Sequence, residues 1–331
     1  MATPRYRSFL GINKEAAHAA GVDPTYVAPS TGTPYWIPCT DLKPFDNIKY
    51  LDDVNWRGSM VQDYGTVQGN IFSEFEFSGD VFPDTFGWAV AGVLGKVTTT
   101  GASAPYTHVV TAQNTGTGQA TSYSLTDYNG YNRRKYTGMQ FGSVDLKFNA
   151  EGLLEYTAMA QGWASATTAD TTANAYSTVT TVPVWTGTTT IGGTTVKRLG
   201  EGDLKISRAL TPIFTVDGNQ SPYQLFQGPL EVTGSLKLIY EDDTDLSQFL
   251  NNSQPSLDIA WSQGSGAGAT KVQVTMTQCA FQVAKIDRSK DFVELDVTYR
   301  AISNTTDAGA SNGYSPIKVT LQNAVAASVY A

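Results

Sequence analysis

The strongest pattern along the chain is a strict alternation of apolar and polar positions between residues 141 and 163. Residues 144–148 form one alternating arm and residues 154–158 form the other, as expected for β-strands with one buried face. Residues 149–152, Asn-Ala-Glu-Gly, lie between the arms and favour a turn in which Asn and Gly take positive φ. The segment is therefore predicted to be a β-hairpin.

A second hairpin pattern follows about 139 positions later, at residues 281–302. In this alignment Val144 falls on Val283 and Glu155 falls on Glu294, and residues 287–290 form the second turn. The surrounding elements recur in the same order: a strand, a long loop, a strand, a short helix, a strand, the hairpin and a last segment. Such a repeated order indicates an internal duplication.

The predicted elements of the first copy are strands at 47–51, 71–77, 107–113 and 174–185, a loop at 52–70, and a helix at 86–94 capped by Asp84 or Thr85 and ended by Gly95. Those of the second copy are strands at 203–206, 231–238 and 257–263 (the last aligned with 107–113), a loop at 208–229, a helix capped within 241–244, and a last segment from 312. The pattern predicts a mainly β fold of two tandem β-sandwich domains, each with one short helix and a long loop.

The duplication divides the chain into an N-terminal arm (1–40), a first domain (41–187), a linker (188–200) and a second domain (201–331). The arm is rich in proline, which excludes a regular helix. It also carries three large aromatic residues, Tyr26, Tyr35 and Trp36. These rings need a surface to pack on, either in their own domain or on a neighbouring subunit.

The composition adds an acidic balance. The 331 residues carry a formal net charge of −8, so the chain is poorly suited to bind nucleic acid phosphates. The N-terminal residues lack the apolar centre of a secretion signal, and no apolar run is long enough to span a membrane. The two cysteines, Cys39 and Cys279, lie one in each half and are predicted to be buried free thiols in a reducing compartment.

A search for catalytic chemistry finds no motif. His18 lies in an alanine-rich arm and His108 in a strand pattern, and neither belongs to a cluster with metal-ligand spacing. Residues 241–245 are acidic but lack the spacing of a calcium loop, so helix capping is the preferred interpretation. The sequence predicts no catalytic residue, metal or cofactor, and hence no enzyme.

Several residues are instead candidates for contacts between subunits. The arm and the long loops supply most of them: Tyr26, Tyr35, Trp36, Trp56, Met60, Tyr64, Tyr223 and Phe226. Arg133 and Arg134 lie in an aromatic and basic loop, residues 128–136, which could dock on an acidic protein surface or stack on single-stranded nucleic acid. The first is the preferred interpretation, because the loop is longer in the first copy than in the second.

This order of elements, together with residues 11–15 (Gly-Ile-Asn-Lys-Glu) and the aromatic arm after them, resembles the tail tube proteins of long, non-contractile-tailed bacteriophages (siphoviruses), in the form with two tube domains per chain. The resemblance covers the whole length, but no short motif carries it. It implies a structural virion subunit whose domains contribute strands to an intersubunit β-barrel. Single-domain relatives form hexameric rings, so three tandem chains would make a pseudo-hexameric ring, with the arm and long loop reaching the next ring.

The resemblance also implies partners. The chain would bind copies of itself, the tape measure protein, the tail terminator and distal tail proteins, and viral DNA would pass through without specific binding. Assembly would take place in the host cytoplasm, with no membrane partner. An acidic lumen would repel DNA phosphates, and the candidate lining residues are Glu74, Glu76, Asp145, Glu155, Glu294 and Asp296. The alternatives are a simple solvated face for these carboxylates and, for the protein, a β-sandwich surface adhesin or carbohydrate-binding virion protein.

Overall fold

A computed structural model describes residues 4–17, 19–309 and 312–330, so the prediction for His18 lies outside the described residues. The fold is mainly β and contains two sheets with short helices, which confirms the predicted fold class. The two sheets pack around one hydrophobic core. The described strands do not form a closed barrel within the single chain.

The strands of the first half are β1 (Phe9–Lys14), β2 (Trp36–Ile37), β3 (Asp41–Asp53), β4 (Gly65–Asp80), β5 (Gly95–Thr100), β6 (Tyr106–Ala112), β7 (Tyr123–Tyr128), β8 (Arg133–Asn149), β9 (Glu155–Gly162) and β10 (Ala166–Thr167). Those that follow are β11 (Gly187–Ile191), β12 (Thr194–Val196), β13 (Leu199–Ile213), β14 (Gln224–Ile239), β15 (Leu257–Gln263), β16 (Thr270–Met276), β17 (Cys279–Asp287), β18 (Glu294–Ala301) and β19 (Lys318–Asn323). The α-helices are α1 (Phe86–Leu94), α2 (Thr244–Leu250) and α3 (Ala327–Tyr330), and 3₁₀ turns occur at Arg5–Arg7, Val184–Thr186 and Gly266–Gly268.

The larger sheet is organised along one antiparallel path, β17-β18-β14-β13-β8-β9-β4-β3. The first four strands of this path belong to the second half of the chain and the last four to the first half. The halves meet where β13 pairs with β8, from Glu201 opposite Asn149 to Ser207 opposite Ser143. We call this pairing the internal junction.

The strand order along this path is duplicated, and the β-bulges confirm the alignment. β8 and β17 each contain a bulge, after Phe141 and after Phe281. The β3–β4 and β13–β14 pairs also share a register shift, opposite Ile48–Tyr50 and opposite Arg208–Leu210, with the extra residue in β4 and in β14. Bulges fix the register of a strand pair. The registers therefore align β8 with β17, β9 with β18, β4 with β14, and β3 with β13.

The bulges also correct the predicted alignment of the first hairpin arm. They place Phe141 on Phe281, an offset of 140, so the equivalent of Val144 is Ala284. Val283 lies on the other face of the sheet and is 49% exposed, whereas Val144 is fully buried. Matching Val144 with Val283 was therefore wrong by one residue. The match of Glu155 with Glu294 is confirmed, because each begins the second arm opposite the end of the first.

The smaller sheet has the order β12-β11-β15-β16-β19-β6-β5. Helix α1 is buried over its whole length and contacts β8 of the larger sheet and β5 and β6 of the smaller one. β15 is the first strand after α2, so its counterpart is β5, and β16 is the counterpart of β6. The predicted match of residues 257–263 with 107–113 was wrong because β5 and β16 were not recognised.

Other local predictions had mixed outcomes. Helix α1 ends at Gly95 with φ 94°, as predicted, but the Thr85 side chain makes no capping bond. The 149–152 turn forms without positive φ. Residues 174–182 form no strand and lead into the Val184–Thr186 turn, so the predicted strand there was wrong. In the acidic run before α2, Asp242 accepts a bond from the Thr244 N–H (2.8 Å), but the N-cap residue Asp243 makes no side-chain capping bond.

Residues of the N-terminal segment pack into the first half. β1 pairs with both β2 and β7, and β7 pairs with β8. The buried Glu15 carboxylate accepts bonds from Ser124 Oγ (2.6 Å) and from the Gly138 N–H (3.0 Å). These bonds hold the end of β1 against the strands beneath it. Cys39 and Cys279 are both free, and Cys279 is fully buried.

One buried carboxyl in this region gives a pH-dependent prediction. Asp127 on β7 is 5% exposed, and burial raises its pKa to about 6. A pKa raised above the unfolded value of 3.8 stabilises the fold at low pH, and that contribution is lost as pH rises through 6. We expect Asp127→Asn to raise the unfolding free energy by about 2 kcal/mol at pH 8 and by much less at pH 4. Urea unfolding at both pH values measures the difference.

The control for this prediction is Asp291→Asn, which changes an exposed carboxyl in a turn. We expect the unfolding free energy of this variant to stay close to wild type at both pH values. Equal effects of Asp127→Asn at pH 4 and pH 8 would contradict the assigned burial cost.

Candidate functional site: the polar face and free edges of the larger sheet

One face of the larger sheet packs on the core, and the other carries a continuous polar surface that spans both halves of the chain. Residues directly opposite each other in neighbouring strands point to the same side of a sheet. The registers therefore place on one face the carboxylates of Asp41, Glu74, Glu76, Asp80, Asp145, Glu155, Glu201, Asp203, Glu231, Asp287, Glu294 and Asp296. The basic residues of the same face are Lys43, Lys147, Lys205, Lys237, Lys285 and Arg300.

Ion pairs neutralise part of this face. Lys43 Nζ lies 2.6 Å from Glu76, and Lys237 Nζ lies 2.5 Å from Glu201. Arg300 contacts Glu231 at 3.2 Å. Carboxylates still outnumber basic groups on the face, so it has a net negative charge. At such partly exposed positions each pair contributes about 0.2–1 kcal/mol, so the pairs shape the surface charge more than they stabilise the fold.

All six carboxylates predicted to line a lumen lie on this polar face, in different environments. Glu155 is exposed. Asp145 is half-buried, and burial raises its pKa although Lys205 lies 3.7 Å away. Glu294 is only 8% exposed, and Lys290 Nζ of the preceding turn lies 2.9 Å from its carboxylate. Of the others, Glu76 pairs with Lys43, Glu74 accepts a bond from Gln161 at 3.1 Å, and Asp296 is half-buried.

The strand path ends in two unpaired edges, β3 and β17. β3 exposes Phe45 (59%) and Tyr50, and β17 exposes Val283. An exposed strand edge offers free N–H and C=O groups that another strand can bind. In the duplicated order, β3 is the equivalent of β13, and β17 is the equivalent of β8. The free edges are thus counterparts of the two strands that pair at the internal junction.

Two β-ribbons extend beyond the core at one end of the sheet. The first is formed by the distal parts of β3 and β4, with Trp56 and Met60 fully exposed in the loop between them and Arg57 over the ring of Tyr64. The second is formed by β13 and β14, and it exposes Phe226 and, in part, Tyr223. A bond from the Ile71 N–H to the Gln220 carbonyl (3.0 Å) holds the ribbons side by side.

The remaining contact candidates pack within their own chain. Trp36 is fully buried beside Phe9, Tyr35 packs on Trp88, and the hydroxyl of Tyr26 bonds Thr126 Oγ1 at 2.7 Å. The structure therefore shows these rings packed on their own chain. Arg133 pairs with Asp170 (3.4 Å), and Arg134 pairs with Asp46 (3.6 Å).

His108 has a structural environment. It is buried and bonds Thr99 Oγ1 (2.8 Å) and Asn323 Oδ1 (3.1 Å), and burial lowers its pKa. Within the described residues, no group of three or more His, Cys, Asp or Glu side chains is arranged to hold a metal ion. None of the helices in the described part of the chain combines the length and hydropathy needed to cross a bilayer.

The comparison with protein families decides the identity. The family model for phage tail tube proteins matches residues 6–322. The chain belongs to this family. It is therefore a structural protein of the bacteriophage virion, located in the tail as a subunit of the tail tube. No curated protein matches the chain.

The internal junction and the two free edges are the features of this tail tube subunit that sequence reasoning missed. The duplication was visible in the pattern, and it implied that each half has the same two outer strands. A sequence pattern gives the face of each strand but does not show which outer strands pair across the halves. The alternating charges of β8 and β13 were the available signal, because Lys147 and Asp145 lie opposite Asp203 and Lys205.

Proposed function

We propose that this chain is the tail tube subunit of a siphovirus and that it assembles as stacked, pseudo-hexameric rings of three chains around a lumen that conducts DNA into the host. Residues 41–187 and 201–331 act as two tube domains, with residues 1–40 as the arm and 188–200 as the linker. The role is structural, without catalysis or a cofactor. The family match does not favour the adhesin alternative.

The observation that carries this proposal is the equivalence of the free edges with the internal junction. β3 and β17 correspond to β13 and β8, which already pair within the chain. β17 of one chain can therefore pair with β3 of the next in the same geometry. An interface between two different surfaces of the same chain closes into a ring when its rotation permits. Closure into a barrel then removes both free edges.

The polar face supports the proposed lumen. The core covers the other side of the sheet, so in a closed barrel of this kind the polar face is the surface left to line the interior. Its excess of carboxylates, including Glu74, Glu76, Asp145, Glu155, Glu294 and Asp296, repels phosphates and lets DNA pass without binding. Arg133 and Arg134 are held by internal ion pairs and do not add a phosphate-binding patch to this face.

The other proposed partners bind at the ends of the tube or inside its lumen. The ribbon residues Trp56, Met60, Tyr64, Tyr223 and Phe226 contact the next ring or subunit. The arm, with Tyr26, Tyr35 and Trp36, supports the first domain. The tail terminator and distal tail proteins cover the last rings, and the tape measure protein occupies the lumen during assembly. Assembly takes place in the host cytoplasm.

A cysteine cross-link tests ring closure directly. The internal pair Lys205 and Asp145 maps onto Phe45 of one chain and Lys285 of the next. Opposed strand residues are close enough for a disulfide. We expect Phe45→Cys/Lys285→Cys to give covalent products of two and three chains and none larger, with electron microscopy showing rings and tubes of uniform bore.

The matched control is Phe45→Cys/Asp287→Cys, in which the second thiol lies on the same face but two residues out of register. We expect it to give at least tenfold less cross-linked product. The wild-type chain controls for Cys39 and Cys279. A protein that stays monomeric at high concentration, or covalent ladders that continue beyond three chains, would contradict the closed ring.

A further inference from the structure

The internal junction contains two pairs of opposite charges. Asp203 of β13 lies directly opposite Lys147 of β8. One step along the same face, Lys205 lies opposite Asp145, with Nζ and Oδ2 3.7 Å apart. Opposite charges in directly opposed positions stabilise a strand pair, and like charges destabilise it.

The free edges carry the charges in the reverse order. By the strand equivalence, Lys43 occupies the position of Asp203, and Asp287 occupies the position of Lys147. In a junction between chains, Lys43 would lie opposite Asp287, so the pair is again attractive but with its signs exchanged. At the next position, Lys285 would lie opposite Phe45, where its aliphatic stem can cover the ring.

Incorrect pairings bring like charges together. If β13 paired with the β17 edge of another chain, Asp203 would face Asp287 and Lys205 would face Lys285. If β3 paired with the β8 edge of another chain, Lys43 would face Lys147. The β13–β17 pairing would join two second halves, and the β3–β8 pairing would join two first halves. Each incorrect pairing replaces an attractive pair of charges by a repulsive pair at the centre of the junction.

Both charged groups of the free edges are available to a neighbour. The Lys43 side chain is mostly exposed, although its Nζ also lies 2.6 Å from Glu76 and 3.4 Å from Asp41 on its own chain. Asp287 lies at the end of β17, where the Ser289 N–H (2.9 Å) keeps its pKa below the usual value, so it is anionic at neutral pH.

We propose that these charges select the partner at each strand junction: the Lys43 and Asp287 edges accept a second copy of this chain only in the order first half to second half. This inference rests on the proposed ring. The inference extends the proposed ring by naming the residues that make first and second halves alternate around it. It also applies during synthesis, because a newly folded first half exposes both β3 and β8, and the Lys43–Lys147 repulsion opposes its pairing with another first half.

Charge exchange tests the proposal. We expect Lys43→Asp and Asp287→Lys each to raise the critical concentration for tube assembly about tenfold, which corresponds to about 1.4 kcal/mol. The double variant Lys43→Asp/Asp287→Lys should return to within about twofold of wild type, because the pair is restored with its signs reversed. The measurement is sedimentation of purified protein over a concentration series, with electron microscopy of the pellets. Added salt should reduce the effect of the single variants.

Glu151→Lys is the matched control for Asp287→Lys, since it makes the same charge change in the exposed turn between β8 and β9. It should assemble like wild type. Thermal unfolding of each variant verifies that the subunit remains folded. If wild type forms tubes and the single variants do so equally well, or if folded double variants stay as impaired as the single ones, the charge selection is overturned while the ring stands. If wild type forms no rings, the proposed function itself fails.

Discussion

A subunit with a shortened first ribbon is expected to form rings that no longer stack into tubes. The loop of residues 54–63 exposes Trp56 and Met60 completely, and no residue in the described part of the chain covers them. The Tyr64 N–H bonds the Asp53 carbonyl at 3.0 Å, so a two-residue Asn-Gly turn can replace the loop without opening the ribbon. Removing the loop deletes exposed apolar surface that stacking would bury but leaves both free edges intact.

Sedimentation and electron microscopy distinguish the two assembly steps. We expect the mass found in tubes to fall at least tenfold while the Phe45–Lys285 cross-link still yields covalent three-chain rings. A second variant, Trp56→Ala/Met60→Ala, keeps the loop length and should also lose most of the tubes if the side chains make the contact. Normal tubes from the shortened chain would contradict a stacking role for this loop.

Much of the fold was predictable because the same strand pattern occurs in both halves of the tail tube subunit. Period-two alternation in residues 144–148 and 154–158 decides which face of each strand is buried, and the structure follows it in both hairpins. The error at Val283 arose from the turn: Glu155 follows Lys147 by eight residues, whereas Glu294 follows Asp287 by seven, so the offset of 139 that holds for the second arm becomes 140 on the first. The alternation within an arm is the same whether six or seven residues separate the paired ends, so the pattern alone does not reveal this change.

The candidate site was predictable only in part, for a similar reason. The carboxylates share one face because each occupies a polar position in the alternating pattern of its strand, and this pattern can be read from the sequence. Their environments depend on neighbours distant in sequence or on turns: Lys290 folds back over Glu294, and Lys43 reaches Glu76 from the adjacent strand. Trp36 was a contact candidate on hydrophobicity alone, and Phe9 on the same arm covers it.

Joining two equivalent halves in one chain lowers the entropy cost of closing the proposed ring. In the proposed ring of three chains, every second junction is the internal one, where β13 pairs with β8 within the same chain. An intramolecular junction has a high effective concentration and no translational entropy cost. Only the junctions between β17 and β3 must form by association, and the two halves are free to diverge. The exposed Trp56 and Met60 of the first ribbon and the exchanged charge signs are two such divergences.

The largest expected effect on folding is at the bulge of β8, where Phe141 is fully buried. Its ring packs edge-on against Phe77 and Tyr123, at centroid distances of 6.1 and 5.5 Å. Gly92 of helix α1 lies against the same ring, and a methyl group there would overlap it. We expect Phe141→Ala to lower the unfolding free energy by about 4 kcal/mol, measured by urea unfolding of the dilute subunit. Gly92→Ala should destabilise wild type but regain about 1 kcal/mol in the Phe141→Ala background, because it fills part of the cavity.

Phe45→Ala is the matched control, because it removes the same side chain from an exposed position on the β3 edge. In the isolated subunit we expect the unfolding free energy to change by less than about 0.5 kcal/mol. In assembly we expect Phe45→Ala to have an effect, because it removes the ring that Lys285 of the next chain would cover in the proposed junction, so tubes should require a higher protein concentration. A Phe45→Ala chain that unfolds as easily as Phe141→Ala would show that β3 is part of the folding core rather than an edge kept for the neighbouring chain.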